Sequence, residues 1–230
     1  MNINGLQKLT LLDFPGKTAC TVFLAGCDMR CPFCHNSELI DGTAEVLMDD
    51  QELLKFLKTR EGLLDGVAFT GGEPLLRKDL PNLMKEIKNL GFAIKLDTNG
   101  LHPDALEPLF KEGLVDYVAM DVKNGPEKYP ETSGSANVDL EKIKESINLI
   151  MNSGIDYEFR TTVVEELHNE SSFEGIGKLI KGASNYFLQA FKDRESVVFS
   201  GFTTPSKEKL DNYAKIMAKF VKNVEIRGVS

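Results

Sequence analysis

The chain has 230 residues and a formal net charge of −8, with 42% hydrophobic and 27% charged residues. This composition suits one larger globular domain or two small ones. The acidic balance, without a basic block, argues against a nucleic-acid-binding protein and against binding to an anionic membrane surface. No run approaches the ~20 apolar residues that span a bilayer, and the N-terminus does not resemble a signal peptide, so we expect a cytoplasmic protein.

Short β-branched or aromatic runs alternate with helical patterns along the chain. The predicted strands are Thr18–Leu24, Gly66–Thr70, Phe92–Asp97, Val115–Asp121, Tyr157–Val164 and Asn185–Ala190. The predicted helices are Asp50–Thr59, Leu80–Leu90, Pro103–Lys111, Asp139–Asn152, Ser172–Lys181 and Ser206–Lys222, and a short run, Val224–Arg227, follows the last one. The alternation predicts a parallel sheet with helical crossovers, either an open sheet or an incomplete barrel.

Unusual residues follow four successive predicted strands. A cysteine cluster follows the first strand and "TGGEP" (Thr70–Pro74) the second, while "DTNG" (Asp97–Gly100) and "DVK" (Asp121–Lys123) close the third and fourth. Each segment alone could be a turn or a solvated charge pair. In a parallel sheet, however, all four points lie at the carboxyl edge, where ligands bind. We therefore expect one cleft lined by these segments.

The cysteine cluster has the spacing C-x3-C-x2-C, formed by Cys27, Cys31 and Cys34. Zinc sites usually have four protein ligands, and His35, adjacent to Cys34, is poorly placed to be the fourth. Cys20 lies in an apolar run and is expected to be a buried small hydrophobe. Three thiolates suit a [4Fe–4S] cluster in which one iron has no protein ligand, with zinc or a purely structural cluster as the alternative.

An iron without a protein ligand can be chelated by an amine and a carboxylate. Backbone carbonyls of Gly71 and Gly72 could receive an ammonium group, with Glu73 behind them to stabilise the turn. Lys123 and Arg160 could pair with a carboxylate.

Two further kinds of contact are candidates for a nucleoside part of the ligand. Asp97 and Asn99 could contact ribose hydroxyls or the carboxylate region. Phe33, inside the cysteine loop, could pack against an adenine ring or simply pack the loop.

The cysteine spacing, followed by "GGE" after the next strand, resembles the radical S-adenosylmethionine (SAM) enzymes. The segments "CPFCHN", "TGGEP", "LDTNG", "MDVK" and the opening "GLQKLTLLDFPGK" are similar to the activating enzymes of glycyl radical proteins, above all those serving anaerobic ribonucleoside-triphosphate reductase. The resemblance covers about Ile3 to Phe191. It implies an incomplete (β/α)6 TIM-like barrel in one domain, 1–230, with a core of about 15–191 and a C-terminal helical extension, 192–230.

The resemblance also implies a reaction. A low-potential donor such as flavodoxin or ferredoxin would reduce a [4Fe–4S] cluster, SAM would be cleaved, and the resulting radical would take a hydrogen from a backbone glycine of a partner protein. The cluster would be bound by Cys27, Cys31 and Cys34. The implied SAM contacts are Phe33, His35, Gly71, Gly72, Glu73, Asp97, Thr98, Asn99, Asp121, Lys123 and Arg160. Asp97, Thr98 and Asp121 also resemble a monovalent-cation site.

Other functions stay open at this point. The chain could activate pyruvate formate-lyase or another glycyl radical enzyme, although "YFLQAF" stands where the pyruvate formate-lyase activases have a histidine-bearing segment. It could be a radical enzyme acting on a small molecule or a peptide, or a metal-binding module without catalysis. The segment Asn124–Asn137, with Lys128 and Tyr129, is a candidate contact for the partner or a plain solvated connection.

Overall fold

The computed structural model describes residues 1–194, 197 and 199–228. Its largest feature is an eight-stranded sheet in the order β10-β9-β8-β7-β6-β5-β3-β2. The strands of this sheet are β2 (Gly5–Thr10), β3 (Ala19–Leu24), β5 (Gly66–Gly71), β6 (Ala93–Thr98), β7 (Tyr117–Asp121), β8 (Asp156–Val163), β9 (Asn185–Ala190) and β10 (Asn223–Arg227). The remaining strands, β1 (Asn2–Ile3) and β4 (Met48–Asp49), form a separate antiparallel pair.

Seven of the eight strands run parallel, from β3 at one side to β10 at the other edge. Only β2 is antiparallel, and it pairs with β3 at the first edge. Because successive parallel strands are joined by crossovers, their carboxyl ends lie along one rim. This rim positions the candidate site.

Helices connect the parallel strands. They are α1 (Asp50–Lys58), α2 (Leu80–Asn89), α3 (Pro103–Lys111), α4 (Tyr129–Ser133), α5 (Leu140–Asn152), α6 (Glu170–Leu179) and α7 (Lys207–Met217). Local chemistry fixes several starts: α1 begins with a capping box in which Asp49 and Glu52 each accept from the other's backbone N–H, at 2.8 and 3.0 Å. Such caps satisfy N–H groups that have no partner within the helix.

The core lies between the sheet and one face of each long helix. In α5, for example, Ile143, Ile147 and Ile150 are buried at helical spacing and face the sheet. Cys20, in β3, is fully buried as predicted, and burial raises the pKa of its thiol to about 12, so it stays protonated.

The predicted fold class is confirmed, because the sheet is α/β, mostly parallel, and open rather than closed. All six predicted strands are present within a few residues of their expected bounds. The sequence did not predict β2, the β1–β4 pair or α4. The C-terminal segment, expected to be helical, contains α7 but also β10, which extends the sheet; residues 195, 196, 198, 229 and 230 of that segment lie outside the described residues.

No helix in the described part of the chain is both long enough and apolar enough to cross a membrane.

The strand β10 also supplies the cation of an ion pair whose carboxylate is buried. The Glu158 carboxylate in β8 is 1% exposed and receives two hydrogen bonds from the Arg227 guanidinium, at 2.9 and 3.0 Å. Tyr117 donates a third, at 2.9 Å, and Arg227 also lies 3.3 Å from the ring centre of Phe187.

We predict that Arg227→Ala lowers the free energy of unfolding by roughly 2 kcal/mol, because it leaves a buried carboxylate without its cation. The matched control is Lys144→Ala, which removes an exposed pair with Glu141 and should cost less than about 0.5 kcal/mol. Urea denaturation of both variants measures the difference. Equal effects of the two substitutions would contradict the assigned role of Arg227.

Candidate active site

The three clustered cysteines lie in the loop that follows β3. Two backbone hydrogen bonds close this loop on itself: Gly26 N–H to Leu39 O at 2.7 Å and Cys27 N–H to Ile40 O at 3.0 Å. Cys27, Cys31 and Cys34 are each partly exposed. All three line a single cavity of about 460 Å³ at the carboxyl ends of the strands.

The glycines after β5 pack directly against the start of the cysteine loop. Gly72 N–H donates to Leu24 O at 2.8 Å, and Glu73 N–H donates to Gly26 O at 2.7 Å. A Cβ on Gly72 would lie 2.1 Å from Gly26 O, and one on Gly71, whose φ is +115°, would lie 2.5 Å from Leu24 O. Only glycine permits so close an approach of two backbones. The "GG" pair therefore fixes the cysteine loop to the sheet edge.

Glu73 lies beneath this junction and does not line the cavity. Its carboxylate is fully buried and accepts from Leu75 N–H (3.1 Å), the Thr98 hydroxyl (3.0 Å) and Asn99 N–H (2.7 Å). It thus links the loop after β5 to the loop after β6. These contacts confirm the expectation that Glu73 stabilises the turn. A direct contact of Glu73 with SAM stays a prediction, and the position of Glu73 outside the cavity lining does not support it.

The other residues expected to contact SAM all line the cavity, together with the cysteines. They are Phe33, His35, Gly71, Gly72, Asp97, Thr98, Asn99, Asp121, Lys123 and Arg160. The Gly71 carbonyl already accepts a hydrogen bond from the Asn36 side chain at 3.0 Å, which leaves it one lone pair. Segments far apart in the sequence therefore converge in one cleft, as their position after successive strands predicted.

Charged side chains form a connected network on one wall of the cavity. Arg160 donates from Nη2 to Asp97 Oδ2 at 3.0 Å and from Nε to Asp121 Oδ1 at 2.5 Å. Lys123 Nζ donates to Asp121 Oδ2 at 2.8 Å, and Lys95 Nζ pairs with Asp97 Oδ1. Burial opposes the charged forms, but these neighbouring cations hold the pKa of both carboxyls below their usual range.

A second polar group lies beside Cys27. The Asn99 amide donates to Asp28 Oδ1 at 2.7 Å and its nitrogen lies 4.0 Å from Cys27 Sγ. Asp28 Oδ2 lies 2.7 Å from His102 Nε2. The hydrogen bond from His102 lowers the pKa of Asp28, against its burial, and the same contact raises the pKa of His102. Asn99 is therefore oriented toward a cysteine sulfur by Asp28, a partner that the sequence analysis did not identify.

Phe33 and His35, the two ring side chains beside the cysteines, both pack against other parts of the chain. Phe33 is 4% exposed and packs with Val164, Leu167 and Phe191, so loop packing describes most of its surface although it also lines the cavity. His35 stacks on Phe191, with ring centres 5.6 Å apart, and its Nε2 lies 2.7 Å from Lys192 O. His35 is thus held at the cavity wall by contacts outside the cysteine set.

The segment Asn124–Asn137 is not a plain solvated connection, and its contact with a partner stays a prediction, since Glu127, Glu131 and Asn137 are exposed. It contains α4, and Arg30 N–H in the cysteine loop donates to Ser133 O at 2.9 Å. Tyr129 is fully buried, so it cannot meet a partner in this arrangement. Among the described residues its hydroxyl is the one buried side-chain polar atom without a hydrogen-bond partner, and it interacts electrostatically with Lys123 and Cys31.

The cysteines fit a cluster better than a single ion. Burial raises the pKa of Cys27 to about 11 and raises that of Cys31, so both are thiols until a metal displaces their protons. No three His, Cys, Asp or Glu side chains in the described ranges converge as ligands of one ion. In a [4Fe–4S] cluster each thiolate binds a different iron, so such convergence is not required.

Comparisons with known proteins agree with this chemistry. The profile of the Radical SAM superfamily matches residues 21–180. A protein of Methanocaldococcus jannaschii that carries the provisional name glycyl-radical enzyme activating enzyme is 34% identical over 99% of this chain and 96% of its own length. The pyruvate formate-lyase-activating enzyme of Clostridium pasteurianum is 27% identical over 80% of this chain and 77% of its own length.

A solved structure has the same fold. A domain of the pyruvate-formate lyase-activating enzyme from Bacteroides vulgatus superposes with a TM-score of 0.57 at 19% identity, covering 71% of this chain and 99% of that domain. At this identity the likeness concerns the fold alone.

The chain belongs to the radical SAM superfamily. Its cofactors are accordingly a [4Fe–4S] cluster and SAM, as the motifs predicted. Within the superfamily it is an enzyme of the glycyl-radical enzyme activating group, to which its relative of 34% identity is assigned.

Three contributors to the site were missed by sequence reasoning: Asp28, Lys95 and Asn36. Lys95 had a signal, because it is a lysine inside an otherwise apolar strand and two residues before Asp97, on the same face of β6. Asp28 lies inside the cysteine spacing next to Cys27, and no sequence pattern distinguishes it as a site residue. The Asn36 side chain donates to the Gly71 carbonyl from a separate loop, so this contact depends on tertiary structure and has no local sequence signal.

We predict that Glu73→Gln changes the pH dependence of stability. Burial raises the pKa of Glu73 from 4.5 to about 7, so the folded chain holds this proton more tightly than the unfolded chain. The resulting stabilisation is fully present below pH 4.5 and is lost as the pH rises through about 7. Between pH 5 and 7 the wild type should lose roughly 2 kcal/mol relative to the variant, which has no such proton.

Urea denaturation of the metal-free wild type and Glu73→Gln at both pH values measures this change. A stability difference between the two proteins that is the same at pH 5 and pH 7 would contradict the raised pKa.

Proposed function

We propose that this enzyme reductively cleaves SAM and takes a hydrogen atom from a backbone glycine of anaerobic ribonucleoside-triphosphate reductase, leaving a glycyl radical there. The observation that carries the proposal is the cavity in which Cys27, Cys31 and Cys34 face the charged wall of Asp97, Asp121 and Arg160. The choice of reductase rests on the similarity of "CPFCHN", "TGGEP", "LDTNG" and "MDVK" to its activating enzymes.

When bound, the cluster supplies the electron and SAM supplies the organic radical; the chain itself binds, orients and excludes water. Cys27, Cys31 and Cys34 would hold three irons. The charged wall has three basic groups for two carboxylates, so Arg160 and Lys123 can attract the carboxylate of SAM. The free lone pairs on the carbonyls of Gly71 and Gly72 can receive its ammonium group.

Several finer assignments are part of the same proposal. The electron donor would be a low-potential protein such as flavodoxin or ferredoxin. Residues 1–230 would form one domain, since β10 continues the same sheet as β9. The location would be cytoplasmic, because thiols that serve as cluster ligands need a reducing compartment. Activation of pyruvate formate-lyase is a second candidate, supported by the relative from Clostridium pasteurianum.

We predict that Cys31→Ala abolishes SAM cleavage, because a cluster left with two thiolates is not held in place. The reconstituted wild type should show the visible absorption of an iron–sulfur cluster and release methionine on reduction. Cys20→Ala is the matched control, since it removes a thiol that is buried in β3 and away from the cavity. Cleavage by Cys31→Ala at the wild-type rate would rule out the assigned cluster site.

The partner is tested by electron paramagnetic resonance. Anaerobic incubation of the reduced enzyme and SAM with anaerobic ribonucleoside-triphosphate reductase should give the doublet of a glycyl radical. The control is the same reductase with its radical glycine changed to alanine, which should give no doublet. A doublet on pyruvate formate-lyase but not on the reductase would show that pyruvate formate-lyase is the partner. SAM cleavage without a doublet on either protein would favour a small-molecule or peptide substrate.

A further inference from the structure

The charged wall of the cavity has no free carboxylate oxygen. Asp97 Oδ1 pairs with Lys95 and Asp97 Oδ2 with Arg160, while Asp121 Oδ1 pairs with Arg160 and Asp121 Oδ2 with Lys123. Three basic side chains therefore face two carboxylates. The wall carries one surplus positive charge before any ligand enters.

Lys95 differs from the other two cations in its position. It is 2% exposed and does not line the cavity, whereas Arg160 and Lys123 do. It reaches Asp97 from within β6, where residues two apart share a face. A buried ammonium is costly unless a carboxylate pairs with it, and Asp97 supplies that partner for Lys95. Lys95 thus acts on a ligand in the cavity only through Asp97.

A monovalent-cation site at Asp97, Thr98 and Asp121 does not fit this arrangement. Such an ion would need oxygen atoms from all three residues, and both carboxylates are already paired with basic groups. The Thr98 hydroxyl donates to Glu73 Oε1 at 3.0 Å and accepts from Gly100 N–H at 3.1 Å, so it already has two partners within the protein. Adding a further cation beside Lys95 and Arg160 would also cost Coulomb energy.

We propose that the Lys95 ammonium takes the place of a bound monovalent ion, so that this enzyme binds SAM without Na⁺ or K⁺. The positive charge that offsets Asp97 is part of the chain, and it reduces the share of the Arg160 charge that Asp97 would otherwise need. Lys95 is a positioning residue, because it contacts Asp97 and not SAM. The proposal depends on SAM binding and not on the identity of the protein partner.

The test compares SAM binding in potassium chloride with binding in choline chloride at equal ionic strength. Equilibrium dialysis with the cluster-loaded, unreduced enzyme measures the dissociation constant without any turnover. Wild-type affinity should be the same in the two salts. Lys95→Met, which keeps the length of the side chain but removes its charge, should bind SAM about tenfold more weakly in choline and recover in potassium. Lys95→Arg should behave like the wild type.

Two controls make the result specific. Lys111→Met removes an exposed ion pair with Glu107 far from the cavity and should show no salt preference. Lys95→Gln serves if the methionine variant does not fold. As a second measurement, potassium should raise the unfolding temperature of metal-free Lys95→Met relative to choline, because an ion that binds only the folded state stabilises it, and should leave the wild type unchanged.

Wild-type binding that needs potassium would overturn the proposal. So would a Lys95→Met protein that binds SAM equally well in both salts, or equally weakly in both. Because none of these measurements involves a partner protein, failure here is separate from failure to form a glycyl radical.

Discussion

The site depends on the close approach of two backbones at Gly71 and Gly72. A side chain at either position would collide with Leu24 or Gly26, so the cysteine loop can rest on the end of β5 only because these residues have none. Glu73 then fixes the junction from below by accepting hydrogen bonds from two separate loops. In this chain the "GGE" sequence is a structural joint between the cysteine loop and the end of β5.

Charge compensation gives the cavity its chemical character. Two buried carboxylates would be unfavourable alone, and three basic side chains would be unfavourable without them. Arg160 joins both carboxylates, because its planar guanidinium can donate to two acceptors at once. The wall is therefore cross-linked by ion pairs and net positive, which suits a ligand that carries a carboxylate.

Much of this architecture could be predicted from local patterns. Periodicity located the parallel strands β3 to β9, and the rule that their carboxyl ends share a rim placed residues as distant as Cys27 and Arg160 in one cavity. What could not be predicted depends on tertiary contacts. β2 was missed because it is an edge strand whose residues are mostly exposed or half-buried and show no buried apolar run, and α4 because its turn formers suggested a loop. The direction of the Glu73 side chain, the partner of Asn36 and the burial of Tyr129 follow from packing between loops that have no sequence signal in common.

The order of strands in the large sheet is the order in which they occur in the chain, from β2 and β3 through to β10. Each new strand therefore needs only the one before it as a template, and every loop that closes is short compared with the whole chain. During synthesis the sheet can grow unit by unit as the chain emerges. The last unit brings Arg227 to the buried Glu158, so a chain that has reached β8 but not β10 lacks the cation that pairs with this carboxylate. The final strand thus both extends the sheet at its last edge and supplies the partner of a buried carboxylate in β8.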